Sequence, residues 1–203
     1  INYENINAAR DANLKSVRID QDWRGIVFKP SQGDVYVLLY VDHHDDAYRW
    51  AENRKIAINP VTGAMQIVLT EHVSVQIPVA AAVEVEPGPF VALSDQELLS
   101  IGVPEDFLLA VRQIHDETSL DGMQSSLPVE AYEALFLLLA GDSIDQILSG
   151  RETRVDVEID VTDFAGALDR AESQSRFVII EDDEALSAIM NAPLAQWRQQ
   201  KSG

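Results

Sequence analysis

The residues of this chain that are best suited to chemistry lie in the segment VYVLLYVDHHDDAYRW, residues 35 to 50. An apolar run ends there in Asp42, His43 and His44 and continues with Asp45 and Asp46. Imidazole and carboxylate groups bind divalent metals, and a histidine also transfers protons near neutral pH. A polar corner between a strand and a helix has the same composition. The pattern therefore leaves three interpretations open: a metal site, a catalytic base, or a structural corner.

The segments around this stretch predict a small antiparallel sheet. Residues 14 to 20 alternate apolar and polar side chains, as a half-buried strand does. Two apolar runs, RGIVFKP and VYVLLYVD, flank a turn in which Gly33 and Asp34 favour a hairpin. The second run is apolar on both faces, which predicts an internal strand. A helix follows, with the carboxylate of Asp45 or Asp46 at its start.

The rest of the chain predicts a linker, a group of helices and a strand-helix-strand unit. A strand over residues 64 to 68 completes the first part, and three prolines with little periodicity predict a linker after it. Four segments bounded by proline or glycine then predict helices: SDQELLSIGVP, PEDFLLAVRQIH, PVEAYEALFLLLAG and SIDQILSG. The first has a capping serine, Ser94, with the carboxylate of Glu97 three residues later. Near the end RVDVEIDV alternates strictly, TDFAGALDRAESQ is helical, and RFVII predicts a short buried strand. We therefore predict an α+β protein with an antiparallel sheet domain over residues 1–70, a linker over 71–91, a helical bundle over 92–150 and an acidic β-α-β segment over 151–203.

Charge is distributed unevenly along the 203 residues, whose formal net charge is −19. Residues 1 to 60 hold eight Lys and Arg against nine Asp and Glu, whereas residues 61 to 203 hold seven against twenty-five. Affinity for nucleic acid depends largely on neutralising phosphates, so only the N-terminal third is a candidate for contact with DNA or RNA. Zero cysteines exclude disulfides and cysteine nucleophiles. With no apolar run of membrane-spanning length and no signal segment, we expect a cytoplasmic protein without a membrane partner.

The Asp-His-His tripeptide at residues 42 to 44 resembles the motif that names the DHH phosphoesterases, in which aspartates and histidines hold catalytic manganese. That family has further aspartates on upstream strands. The 41 residues before Asp42 contain no Asp-x-Asp element followed by a serine. We therefore predict no metal site here and keep a metal-dependent phosphoesterase as the remote alternative.

The longer segment LKSVRIDQDWRGIVFKPSQGDVYVLLYVDHHDDAY resembles the core of the RelE/ParE toxin fold. The shared features are a strand with an arginine, a second strand that begins with an arginine, a hairpin, and an apolar strand that ends in a histidine. In the RNA-cleaving members an arginine on the middle strand stabilises phosphate charge, and a histidine or another polar group after the last strand handles the proton. The resemblance implies these catalytic roles for Arg24 and His43, and binding roles for Arg18 and His44.

The chain also departs from this toxin pattern. His44 stands where active toxins commonly have a tyrosine, three aspartates crowd the site, and only residues 1 to 13 precede the first strand, where a helical hairpin normally opens the fold. The first third has little net positive charge to attract RNA. The alternative prediction is structural: Arg18 and Arg24 pair with the aspartates between them, while the two histidines end a strand.

A wider resemblance covers nearly all of residues 1 to 198. The order of the predicted segments is similar to that in the amino-terminal region of a bacterial group of UvrD/Rep-like, superfamily 1 DNA helicases. The most specific segments of this resemblance are NPVTGAMQ and APLAQWR. In that group a toxin-like domain and an acidic helical region precede the ATPase. The resemblance implies ATP and magnesium as cofactors of the parent helicase. The 203 residues contain no G-x-x-x-x-G-K-[ST] loop, so we predict no cofactor for this region itself.

The leading hypothesis is a non-motor accessory or regulatory region of such a helicase. Its expected partners are the motor domains of the same chain, together with DNA or RNA through the N-terminal third. The acidic helical part would pack against basic surfaces of the motor or imitate nucleic acid. The competing hypothesis is an RNA-cleaving, RelE-type domain that uses Arg24 and His43.

Overall fold

The computed structural model shows a mixed α+β protein with two compact units. The first unit combines Ile1–Lys55 with Phe164–Gly203, and the second unit is Ile56–Asp163. The predicted fold class is confirmed, because an antiparallel sheet is followed by a mostly helical region. The residues that the structure describes are 2–31, 36–70, 88–149, 159–174, 177–180, 184, 185 and 188.

The regular elements are short. The strands are β1 (Tyr3–Asn5), β2 (Leu14–Arg18), β3 (Trp23–Phe28), β4 (Tyr36–His43), β5 (Arg54–Ile58), β6 (Met65–Leu69) and β7 (Val178–Ile180). The helices are α1 (His44–Glu52), α2 (Asp95–Ser100), α3 (Leu108–Val111, preceded by a 3-10 turn over Glu105–Phe107), α4 (Glu117–Asp121), α5 (Val129–Ala140), α6 (Ile144–Ser149), α7 (Phe164–Leu168) and α8 (Ala171–Gln174). Helices this short depend on packing and caps for their stability. Across the described ranges, none is long and apolar enough to cross a membrane.

The first unit is built on an antiparallel sheet with the strand order β1-β2-β3-β4-β7. The three strands that alternation and apolar runs predicted, β2, β3 and β4, are neighbours in sequence order. β4 lies between β3 and β7, which confirms that the apolar run VYVLLYVD is an internal strand. The predicted turn at Gly33 and Asp34 lies outside the described residues.

A β-bulge in β4 decides which face of the sheet each of its side chains occupies. Leu38 pairs with Val27 and Tyr40 pairs with Ile26, so Leu39 is an extra residue on β4. Successive residues of a strand point to opposite faces, and one inserted residue therefore exchanges the faces of all the residues that follow it. Tyr40 consequently shares the face of Ile26.

The main core of the first unit lies on that face. Ile26 and Phe28 are fully buried there, and α1 packs on β3 and β4 through its buried Ala47 and Ala51. The ring of Phe164 from α7 meets that of Phe28 edge to face, with ring centroids 4.8 Å apart. The segment after residue 163 therefore contributes to the same core as the N-terminal strands.

The opposite face of the sheet carries a smaller apolar cluster around Val17 and Val27. Tyr3 and Tyr36 pack against it and stack on each other with ring centroids 5.7 Å apart. The ammonium group of Lys29 lies over both rings, 4.5 Å and 5.0 Å from their centroids. Lys29 can therefore cover the edge of the apolar cluster while the two aromatic rings stabilise its charge through cation–π contacts.

A buried asparagine connects the β5–β6 hairpin, most of which belongs to the second unit, to the helices that follow. The side-chain amide of Asn59 donates to the carbonyl oxygens of Leu99 at 3.0 Å and Val103 at 3.3 Å. Its oxygen accepts the main-chain amides of Val61 and Thr62 at 2.9 Å and 3.0 Å. The full hydrogen-bonding capacity of the side chain is therefore satisfied in a position that is 1% exposed.

Gln66 makes a second buried contact of the same kind. Its Nε2 atom donates to the carbonyl oxygen of Gly102 at 2.7 Å. Gly102 follows the end of α2 with φ of 97°, and a Cβ at this position would lie 2.8 Å from Cγ of Glu130. Both the positive φ and the lack of space require glycine. The hairpin thus fixes the turn between α2 and the helical segment after it.

Caps begin and end the helices of the second unit. α2 has the predicted capping box, in which Ser94 Oγ accepts the Glu97 amide at 3.2 Å and the Glu97 carboxylate accepts the Ser94 amide at 2.8 Å. α4, which was not predicted, is capped by Asp116, whose Oδ1 accepts the Ser119 amide at 2.8 Å. α5 ends at Gly141 with φ of 106°. The helices enclose a core formed by Phe90, Leu98, Ile101, Val103, Phe107, Val111, Ile114, Leu120, Leu127, Ala131, Ala134 and Leu135.

Two strands have partners other than those predicted. β6 was expected in the first sheet but forms a separate two-stranded sheet with β5. β7 was expected to close a C-terminal strand-helix-strand unit but pairs with β4, with Ile180 opposite Tyr36. Most of RVDVEIDV and residues 71–87 of the predicted linker lie outside the described residues. The boundaries of the compact units therefore differ from those of the predicted domains. Periodicity identifies a strand, but it does not identify the strand with which it pairs.

Replacing Gln66 by alanine is expected to lower the free energy of unfolding by about 2 kcal/mol, because the buried Gly102 carbonyl loses its donor. Urea denaturation of the whole chain measures the change. Gln124→Ala is the matched control, since Gln124 is exposed in the same unit, and it should change the free energy by less than about 0.5 kcal/mol. Equal effects of the two substitutions would contradict a stabilising role for this hydrogen bond.

Candidate functional site at the ends of β2, β3 and β4

Asp20 organises the turn between β2 and β3, beside the predicted site residues. Its Oδ1 atom accepts the main-chain amides of Asp22 and Trp23, each at 2.8 Å. Its carbonyl oxygen accepts Nε of Arg18 at 3.0 Å and Nη1 of Arg24 at 3.1 Å. The two amide hydrogen bonds hold the pKa of the Asp20 carboxyl below its ordinary value, and nearby positive groups contribute less.

The two arginines of the predicted site are thus directed toward the main chain of the turn. Nη1 of Arg24 also donates to the carbonyl oxygen of Trp23 at 3.0 Å. The structural alternative placed Arg18 and Arg24 in ion pairs with neighbouring aspartates. The hydrogen bonds to Asp20 go to its carbonyl oxygen, while its carboxylate binds main-chain amides. Arg18 and Arg24 are cross-strand partners, so the structure brings these two side chains together.

Arg24 and His43 occupy neighbouring rows of the sheet but opposite faces. Arg24 pairs with Asp42, and Trp23 pairs with His43. Cross-strand partners share a face and successive residues alternate, so Arg24 lies on the face of Asp42 and His43 lies on the face of Trp23. The bulge at Leu39 causes this separation, because an uninterrupted β4 would place His43 on the face of Arg24.

His43 is the exposed last residue of β4, and its ring packs against Trp23. The ring centroids are 4.4 Å apart and the planes are inclined by 37°. Its main-chain amide donates to Oδ1 of Asp42 at 2.8 Å, and it precedes α1 without a side-chain hydrogen bond to the helix. The imidazole is therefore accessible to solvent on the face opposite α1 and is supported there by an indole ring.

Asp42 belongs to a network on the α1 face. The phenol of Tyr40 donates to Asp42 Oδ2 at 2.6 Å, and this hydrogen bond, followed by burial, raises the pKa of Tyr40 to about 12. The Tyr40 ring stacks on Trp50 with centroids 4.9 Å apart, and the guanidinium of Arg54 lies 4.7 Å from the Trp50 centroid. Asp42 thus binds Tyr40 with one oxygen and the His43 amide with the other, and it fixes the phenol of the ring that links β4 to α1 through Trp50.

His44 is the first residue of α1 and has different partners from His43. Its ring stacks on Tyr48 with centroids 4.4 Å apart, and its Nδ1 lies 2.9 Å from Oδ1 of Asp45. The Tyr48 hydroxyl shares a hydrogen bond of 2.9 Å with Ser16 Oγ, which ties α1 to the sheet. The two adjacent histidines thus contact two separate aromatic side chains.

The interpretation of residues 42 to 46 as a metal site gains no support from this geometry. Within the part of the chain that the structure describes, no group of three or more His, Asp or Glu side chains could hold a metal ion. Alternation along β4 explains why Asp42 and His43 do not converge, since they point to opposite faces. The oxygens of Asp42 are also engaged by hydrogen bonds, as described above.

From the sequence, Asp20 was expected only as an ion-pair partner of the arginines, and the contact of Trp23 with His43 was not predicted. An aspartate followed by amides two and three residues later is a pattern for a side chain that closes its own turn, and this signal could have identified Asp20. The contact of Trp23 with His43 has no comparable local signal, because it depends on the pairing of β3 with β4.

No protein-family model, curated protein or solved structure matches this chain significantly. Its family is therefore not shown by similarity. The observations that bear on function are the sheet register, the contacts of the polar side chains and the distribution of charge.

The Asp20→Asn substitution is expected to lower the free energy of unfolding at neutral pH, because it removes the charge that the Asp22 and Trp23 amides stabilise. The folded-state pKa lies below the ordinary value of 3.8, so this contribution is present above that pH and is lost as the pH falls through the folded-state pKa. The difference between the parent chain and Asp20→Asn should therefore shrink in acid. Urea denaturation over a pH series measures it. Asp22→Asn, an exposed change in the same turn, is the control, and an equal loss there would contradict the role of Asp20.

Proposed function

We propose that this chain is an accessory, non-motor amino-terminal region of a UvrD/Rep-like ATP-dependent DNA helicase and that it acts by docking. The observation that carries the docking role is the placement of Arg24 and His43 on opposite faces of the sheet. In RNA cleavage both groups would have to reach one phosphodiester, and a proton donor must lie within hydrogen-bond distance of the leaving oxygen. The observed register favours a structural use of these residues.

The contacts of the arginines support the same proposal. The hydrogen bonds of Arg18 and Arg24 to the carbonyl oxygen of Asp20 use donors that a phosphate would need. At the strand-to-helix corner the ring of His43 packs against Trp23 and the ring of His44 stacks on Tyr48. Together these contacts stabilise the end of the sheet, which suits a rigid surface for docking.

The charge of the second unit supports a protein partner that itself binds nucleic acid. Residues 88 to 149 contain eleven Asp and Glu and one basic residue, Arg112, apart from histidine. Arg112 is engaged by Asp95 at 2.6 Å. Such a surface repels phosphates and attracts the Lys- and Arg-rich surfaces with which a motor holds DNA. ATP and magnesium would act in that motor, in the bacterial cytoplasm.

The reading frame of the gene and the motor it encodes test the helicase proposal. We expect the frame to continue into a G-x-x-x-x-G-K-[ST] loop, and we expect the 203-residue chain to reduce the DNA-stimulated ATPase activity of the separately expressed motor domains. A stop codon in place of the motor would contradict the proposal. A motor whose ATPase activity is unchanged by excess chain would contradict regulation through docking.

Incubation with RNA separates docking from cleavage. We expect the purified chain to leave single-stranded RNA intact, because Arg24 and His43 do not share a face of the sheet. Gel electrophoresis of labelled RNA measures cleavage. Cleavage that is lost in Arg24→Ala but retained in Arg49→Ala, an exposed arginine paired with Asp46, would contradict the docking role and establish the RelE-type alternative.

A further inference from the structure

Helix α5 exposes apolar side chains that a surface helix normally buries. Its sequence, VEAYEALFLLLA, is apolar on nearly every side, a pattern typical of helices that are covered all round. One side is buried in the core through Ala131, Ala134 and Leu135. On the other side Val129 is 69% exposed, Leu137 41% and Phe136 40%. The composition of the helix therefore predicts a second covering surface.

The exposed residues form one continuous stripe along the helix. Positions 129, 133, 136 and 140 are separated by four, three and four residues, which places them on one helical face, and position 137 lies next to it. All five are exposed. We call this surface the α5 stripe and define it as Val129, Glu133, Phe136, Leu137 and Ala140.

Carboxylates lie within the α5 stripe and beside it. Glu133 lies within it, whereas the half-buried Glu130 on the neighbouring side of the helix packs against Gly102. The hydroxyl of Tyr132 donates to Oδ1 of Asp121 at 2.6 Å, which fixes a carboxylate beside the helix. Asp142 follows the helix end, where its main-chain amide donates to the carbonyl oxygen of Leu137 at 3.0 Å. The α5 stripe therefore has an apolar centre, formed by Phe136 and Leu137, and carboxylates around it.

The C-terminal end of α5 adds to the negative potential. The last turn of this helix contains no basic residue, although cations are favoured at that end of the helix dipole. Asp142 instead places a further negative charge there. Among the described residues of the second unit, Arg112 is the one Lys or Arg, and it is engaged by Asp95. The negative potential at this end of the helix would therefore attract a cationic partner.

We propose that the α5 stripe is the docking surface for a protein surface with an apolar centre and a rim of lysine and arginine. This inference rests on the proposed function, because the basic surfaces of a DNA motor have that chemistry. The acidic rim steers such a partner and selects against nucleic acid and anionic membranes. Phe136 and Leu137 supply the apolar contact at the centre.

The partner chemistry can be measured with two probes. The first is a fluorescent amphipathic peptide of leucine and lysine at helical spacing, and the second is the motor domains encoded in the same frame. A peptide of leucine and glutamate with the same apolar pattern is the matched control. We expect the 203-residue chain to bind the lysine peptide and the motor domains, more weakly as salt rises, and not to bind the glutamate peptide.

Variants of the α5 stripe locate the contact. We expect a double Phe136→Ser, Leu137→Ser variant and a separate Glu133→Lys variant each to weaken binding at least about tenfold. Leu109→Ser is the apolar control, because Leu109 is 76% exposed on α3. Glu105→Lys is the charge control, since Glu105 is exposed outside α5. Both controls should change binding by less than about threefold.

The outcomes distinguish this inference from the helicase proposal. Binding to the lysine peptide through the α5 stripe, without binding to the motor domains, would support the surface and contradict the motor as its partner. Absence of binding to both probes would overturn the surface itself, as would equal losses in the stripe variants and their controls. Binding of single-stranded DNA that the stripe variants abolish would also overturn the assigned partner class.

Discussion

The extra residue in β4 is the constraint on which the polar end of the first sheet depends. Because Leu39 is inserted between the pairs Val27–Leu38 and Ile26–Tyr40, every later side chain of β4 changes face. Tyr40 and Asp42 are thereby directed to α1, where Trp50 stacks on Tyr40. The same shift places His43 against Trp23 on the other side. A single register change therefore produces two separate polar and aromatic clusters.

Buried side-chain amides have a comparable role in the second unit. Asn59 and Gln66 belong to the phrase NPVTGAMQ, which the resemblance to helicase amino-terminal regions singled out. In the structure these two residues bind the carbonyl oxygens of Leu99, Val103 and Gly102. The segment NPVTGAMQ thus forms a turn, and the residues at its two ends, Asn59 and Gln66, are both hydrogen-bonded to the main chain of the helical segment that follows. Such contacts tolerate few replacements, because buried carbonyl groups must keep a donor.

Local sequence patterns predicted strands and helices, but they did not predict features that depend on which elements pack or pair with each other. Alternation and turn residues predicted β2, β3 and β4, and Ser94 with Glu97 predicted the start of α2, because these patterns act within a few residues. The bulge at Leu39 has no such signature, so the order of Arg24 and His43 along the chain did not reveal their faces. The run FLLLA likewise predicted a helix without showing which of its apolar sides the core would leave exposed.

The pairing of β7 with β4 makes the first unit discontinuous in sequence, with Ile56–Asp163 inserted between its two parts. During synthesis on the ribosome, the inserted unit is complete before β7 emerges, so we expect it to fold first. Until then β4 is an edge strand with unpaired main-chain groups on one side, the condition in which chains pair with one another and aggregate. A compact insert holds its ends closer than an unfolded loop and lowers the entropy cost of closing the sheet. Correct folding of the N-terminal sheet is therefore coupled to a strand that is translated after the whole inserted unit.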